Sequence, residues 1–175
     1  MSGGVLFLDI DDVICTNRAH VAFEHDKHGG MIRAWDPIAI KLIDRLCIEY
    51  DLEVVVSSTW RHHFPVPVIL KTHGFRGKFH KSEKTPSTTR GFGEDSRGNQ
   101  IHEWITDNNH TGNILIIDDS TDGIAGSNLE KFQTVTEYYE GMMWKNYHEA
   151  KKILDKQVSG ELKLDINNRW PDDWE

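Results

Sequence analysis

The chain has little with which to staple itself together. Cys15 and Cys47 are its two cysteines in 175 residues. Two cysteines without paired-motif spacing exclude a disulfide framework and a cysteine-rich zinc site, and fit free thiols in a reducing compartment. Long hydrophobic runs are missing too. No stretch approaches the roughly 20 apolar residues of a membrane helix, so no membrane association is expected. The opening Met1-Ser2-Gly3-Gly4 carries no basic cluster, and residues 5–10 are too short for the apolar core of a signal peptide. A cytoplasmic location is the expectation (that of the host, in a viral protein). Positive charge is in the minority: 20 Lys and Arg stand against 28 Asp and Glu, a net charge of −8, which excludes binding to nucleic acid by bulk charge. No repeat or low-complexity segment interrupts the chain. What is present, 38% hydrophobic and 27% charged residues, fits one soluble globular domain spanning residues 1–175.

One stretch organises the rest: Val5-Leu6-Phe7-Leu8-Asp9-Ile10-Asp11-Asp12. A short apolar run ending in acids reads as a buried parallel strand, covered on both faces. Its carboxyl end is where open α/β sheets bind ligands. Asp9 and Asp11, two apart, point the same way if the strand persists through them. Like charges so close demand a cation between them or a shared proton. The pattern returns later. Residues 113–117 are again apolar and end in Asp118-Asp119, while residues 52–56 end in Ser57-Ser58-Thr59-Trp60-Arg61. Hydroxyls there could meet an anion, or cap a helix. Two strands ending in acid pairs imply a cation to offset their repulsion. The fold class expected is α/β: a Rossmann-like, doubly wound parallel sheet.

Other segments supply scaffold or cover. Residues 12–35, with Asn17, His20, His25, His28 and Gly29-Gly30, read as a non-helical flap over the first strand; the histidine spacing matches no standard zinc pattern. Asp36-Pro37 opens a helix with an acid cap and proline at its first position. Residues 66–73 give about two helical turns before Gly74. Residues 75–96 read as a long loop. The window from Lys71 to Arg97 holds seven Lys and Arg against three acids, a basic patch that faces phosphate or simply solvent. Residues 97–106 form a helix capped by Ser96 or Asp95. Residues 132–136 are a short outer strand and 149–156 the last helix. The tail, 157–175, adds an edge strand or packs its tryptophans on the body.

Asp9-Ile10-Asp11-Asp12-Val13, a serine after the second strand, a basic residue heading a helix and Asp118-Asp119 together resemble, in order, the four motifs of the haloacid dehalogenase superfamily. Ser57-Ser58-Thr59-Trp60-Arg61, Thr85-Pro86, Arg97 with residues 101–105, and Ile117-Asp118-Asp119 resemble more closely the branch named for "Swiss Army knife" RNA repair. Asp12 departs from the pattern, which more often has glycine there. The resemblance implies a phosphatase. Asp9 would be the nucleophile, forming an aspartyl-phosphate. Asp11 would be general acid and then base, its backbone carbonyl a magnesium ligand. Ser57 would hydrogen-bond the phosphoryl group, with Ser58 the second choice. Arg97 would stabilise the phosphoaspartate, Lys84 and Arg90 being alternatives. Asp118 would bind Mg²⁺, with Asp119 ligating through water or orienting the site. The metal set is thus Asp9, Asp11, Asp118 and Asp119, and Ser58, Arg61 and Lys84 are candidates to bind substrate.

About 22 residues separate Asp12 from Trp35 and about 40 separate Ser57 from Arg97, too few for a large cap domain. An open site admits a phosphate on a polymer end. The expected activity is Mg²⁺-dependent hydrolysis of a phosphomonoester on a nucleotide or an RNA or DNA end. The alternatives are a small-molecule phosphatase acting on nucleoside monophosphates, a non-catalytic phosphate- or metal-binding module, and an interaction protein using the Trp-rich tail.

Overall fold

The computed structural model describes residues 3–23, 35–88 and 96–166. Five strands form one parallel sheet in the order β3-β2-β1-β4-β5. They are β1 (Gly4–Leu8), β2 (Leu52–Val56), β3 (Lys78–Lys84), β4 (Ile114–Asp118) and β5 (Gln133–Val135). The helices are α1 (Asn17–Phe23), α2 (Pro37–Glu49), α3 (Val66–Thr72), α4 (Arg97–Asp107) and α5 (Trp144–Val158). Strand order runs outward from β1 one way and then from β4 the other, so the switch point lies between β1 and β4. That is where such sheets open a crevice at their carboxyl ends.

The alternation of side chains along each strand builds two cores. Leu6, Leu8, Val54, Val56, Leu115 and Ile117 face α2, α3 and α5. Val5, Phe7, Val55, Ile114 and Ile116 face Ile101, Trp104 and Ile105 of α4. Helices on both faces explain why the three central strands read as unbroken apolar runs.

The cap of α2 is as the sequence announces. Asp36 Oδ1 accepts from Ile38 N at 2.8 Å and Ala39 N at 3.2 Å, with Pro37 at the first helical position. Ser96 caps α4, accepting from Asn99 N at 3.3 Å.

Three elements depart from expectation. Within residues 12–35, the segment Asn17–Phe23 is helical; the Thr16 hydroxyl caps it, accepting from Ala19 N at 3.2 Å, and Arg18 pairs with Asp36. The histidines His25 and His28 lie outside the described residues. Within 75–96, Lys78–Lys84 is a strand rather than loop. It is an edge, where charge is tolerated and blunts unwanted pairing, so no apolar run marked it. Helix α5 starts at Trp144, five residues early, because Asn146 Oδ1 accepts from Met143 N at 3.0 Å and so begins a turn upstream. The tail through Ile166 adds no strand; Leu162 and Leu164 pack on the α4-side core. The tail's two tryptophans lie outside the described residues. The described segments contain no inserted cap domain.

Candidate active site

Backbone hydrogen bonds carry the sheet one step past the strand ends. Asp9 N donates to Ile117 O and Ser57 N to Leu8 O, each at 3.0 Å, while Thr85 N donates to Val56 O and Thr136 N to Asp118 O, each at 3.1 Å. Asp9, Ser57, Thr85 and Asp118 therefore share one rim, fixed by main chain. All four are buried.

Asp9, Asp118 and Asp119 each place a carboxylate oxygen within 4.8 Å of the others'. Arg97 Nη1 enters this cluster, donating to Asp9 Oδ1 at 2.8 Å, Asp118 Oδ2 at 2.9 Å and Ser57 Oγ at 3.4 Å. Burial alone would lower the Arg97 pKa; Asp9 and Asp118 outweigh it and raise the value. Asp118 is pushed up to about 7, by burial first and then by Asp9, against the opposing pull of Arg97. Burial and Asp9 also raise Asp119. One guanidinium facing three carboxylates leaves an excess of negative charge in a desolvated place. Such a set fits a hard divalent cation: carboxylate oxygens suit Mg²⁺, and His or Cys ligands, which would favour zinc, are absent from it.

Close approach aims Arg97. Gly98 N donates to Asp122 O at 3.1 Å, and a Cβ on Gly98 would lie 1.8 Å from Gly123 O. The first turn of α4 thus presses on the loop after β4. Arg97 N reaches Asp122 Oδ2 at 3.3 Å, and the side chain is directed along the rim. Ser120 N fixes Asp118 by donating to its Oδ1 at 2.9 Å.

Asp11 does not join the carboxylate cluster. Trp60 Nε1–H donates to both of its oxygens, at 3.0 and 2.9 Å. Its pKa is raised, by desolvation first; the indole bond opposes this, and Asp9 and Asp12 add to it. A half-exposed carboxyl held near the rim with a raised pKa is suited to proton transfer. Trp60 is the residue sequence reasoning missed. An indole N–H has one donor and no sequence signature, and only its packing against Trp35 at 5.6 Å and Phe64 at 4.7 Å sets its direction.

The serines separate. Ser57 Oγ faces Arg97, whereas Ser58 Oγ accepts from Trp60 N at 3.4 Å and caps the 3₁₀ turn Thr59–His62. Arg61 turns its donors into the protein. Its five N–H groups go to Thr85 O, Ser57 O, Ser58 O, Pro86 O and Gln100 Oε1. It is buried, and desolvation lowers its pKa to about 10. It straps the loops after β2 and β3 to α4. Lys84 is exposed at the carboxyl end of β3, near enough to act on His62. Arg90 lies outside the described residues.

An all-parallel 3-2-1-4-5 sheet, with acids from β1 and β4 meeting an arginine at the switch point, defines an α/β domain of haloacid dehalogenase type. Within that class the chain belongs to the family described as the HAD domain in Swiss Army Knife RNA repair proteins, whose model matches residues 5–147. No curated protein and no solved structure matches the chain. Across the described residues no helix is long and apolar enough to cross a membrane.

Proposed function

We propose that the domain is a Mg²⁺-dependent phosphatase that removes a phosphomonoester from a nucleotide or nucleic-acid end through an aspartyl-phosphate on Asp9. The observation that carries this reading is the meeting of Asp9, Asp118 and Asp119 around Arg97 at the switch point.

Arg97 holds Asp9 Oδ1, which leaves Oδ2 as the attacking atom. Attack on phosphorus breaks the ester P–O bond, and protonated Asp11 gives its proton to the departing oxygen. Water then attacks the phosphorus of the acyl phosphate. Asp11, now a carboxylate, takes the water's proton, and phosphate leaves with Asp9 restored. Ser57 Oγ and Arg97 hold the equatorial phosphoryl oxygens, since phosphoryl transfer needs positioning and charge neutralisation above all. Asp9, Asp118, Asp119 and the Asp11 carbonyl would hold Mg²⁺. When bound, the ion supplies charge neutralisation of the transferring phosphoryl group.

The family's connection to RNA repair, the lack of an inserted cap among the described residues and the exposed Lys84 at the rim support a polymer end over a small metabolite. The test is phosphate release from 5′- and 3′-phosphorylated oligonucleotides and mononucleotides with Mg²⁺ present. Release that is lost in Asp9→Asn supports catalysis. No release from any of them, with phosphate binding retained in Asp9→Asn, leaves the non-catalytic module instead.

A further inference from the structure

Residues 137–141 form a tight turn, closed by Gly141 N donating to Glu137 O at 3.1 Å. Tyr138 and Tyr139 are 62% and 55% exposed, with ring centroids 3.9 Å apart and ring planes inclined at 60°. Tyr139 has φ +74, in the left-handed region. Among the described residues, the other non-glycine residues with positive φ are Asp12, Asp51 and Asn109, types that tolerate it. A bulky aromatic there is an outlier held by its surroundings, and such strain gathers at functional sites.

Three contacts hold it, all to the segment that carries the nucleophile. Tyr139 N donates to Asp12 Oδ1 at 3.0 Å, the Thr136 hydroxyl donates to Asp12 O at 2.8 Å, and Met142 N donates to Val13 O at 2.9 Å. Gly141, with φ +70, allows the approach; a Cβ there would lie 2.3 Å from Thr16 Cγ2. The unusual aspartate at position 12 thus latches the tyrosine turn to the acidic rim. Thr136 N donates to Asp118 O at 3.1 Å and Tyr139 N to Asp12, the residue after Asp11, so the turn stands beside the acidic rim.

The rings' neighbours select the ligand. Exposed Glu140 flanks them, as does Glu137, which pairs with Lys145 at 3.2 Å. With Lys145 paired to Glu137, what the turn presents is ring surface, which takes the face of a base rather than a phosphate. Two exposed aromatic rings beside a phosphoryl site match the stacking surfaces that single-stranded nucleic acids use regardless of sequence. We infer that Tyr138 and Tyr139 form a stacking platform, one ring offering its face and the other its edge, for the nucleobase that neighbours the phosphate at the active site, held in register by Asp12. The inference rests on the phosphatase reading for its substrate and deepens it.

The test compares wild type with Tyr138→Ala, Tyr139→Ala and Tyr138→Phe. KM is measured for a short single-stranded RNA carrying a terminal phosphate and for p-nitrophenyl phosphate, and binding of the same RNA, fluorescently labelled, by anisotropy in EDTA. The platform predicts that Tyr138→Ala raises the ratio of the two KM values by at least about five-fold, the lower end of what one base–aromatic stack contributes, and that Tyr138→Phe restores it. An unchanged ratio in both alanine variants overturns it. If wild type turns over neither substrate, the phosphatase reading fails and the anisotropy decides: weaker RNA binding by the alanine variants supports the platform, and equal binding overturns it.

Discussion

Asp9 and Asp11 are two residues apart, yet the structure gives them different surroundings. Asp9 is buried against Arg97, and Asp11 is turned toward the Trp60 indole. This division suits one group to attack and the other to carry a proton. Asp9→Asn is expected to reduce phosphate release to background, because an amide cannot form the acyl phosphate. Trp60→Phe removes the one indole bond that lowers the Asp11 pKa while leaving a ring to fill the space. The limb of the pH–rate profile governed by Asp11 is then expected to move to higher pH, with kcat falling about tenfold as the carboxyl loses its orientation. An unmoved limb would show that Asp11 is not the titrating group.

At the scale of elements, α4 earns its place by where it starts. Its first turn lies against the loop after β4 through Gly98, and Arg97 follows from that contact. Gly98→Ala is expected to push the turn away and cost about 10- to 100-fold in kcat by misplacing Arg97, since displacements near 1 Å cost on this order. Stability, read by urea titration, should fall far less than activity does. The opposite profile is expected from Asp44→Ala. Buried Asp44 accepts from Arg76 N at 2.7 Å, Gly77 N at 3.0 Å and Arg76 Nε at 3.0 Å, anchoring the approach to β3 far from the chemistry. Losing it strands buried donors and should destabilise by about 2–4 kcal/mol, with kcat in the surviving folded protein largely kept.

Elements also divide by how legible they were. β1, β2 and β4 announce themselves because both their faces are buried, and α2 because Asp36-Pro37 is a local cap whose partners are two and three residues away. β3 hid because an edge strand reading Lys-Phe-His-Lys-Ser-Glu-Lys has no apolar run. Helix α1 hid because its cap, Thr16, sits before a polar, histidine-bearing segment. The acids of the site were legible because strand ends expose their sign. Trp60, Asp12 and the Tyr138–Tyr139 turn were not, since their roles depend on contacts across 49 to 127 positions of sequence that no local pattern encodes. Arg61 was legible as a residue near the site, while only the fold reveals that its donors go to four carbonyls and Gln100.

For the whole molecule, the carboxylate cluster sets a pH dependence whose sign is fixed. The Asp118 pKa lies at about 7 when folded and at the ordinary 3.8 when unfolded. Between those values the folded state binds the proton and the unfolded state does not. Stability from this group is therefore greatest below about pH 4 and is lost as pH rises toward 7 and beyond. In metal-free protein, Asp118→Asn should flatten that slope in denaturation measured from pH 5 to 8. Mg²⁺ needs the carboxylates ionised, so its stabilising shift in Tm should be larger at pH 8 than at pH 5.5. A larger shift at the lower pH would mean that the ion binds elsewhere.

The central claim is that the acids of β1 and β4 form one phosphoryl-transfer centre with Asp9 as its nucleophile. A crystal structure with Mg²⁺ and beryllium fluoride tests it most directly. The expected result is a fluoride-capped Asp9 carboxylate, with the ion bound between it and Asp118. Beryllium on another aspartate, or Mg²⁺ away from both residues, would contradict it.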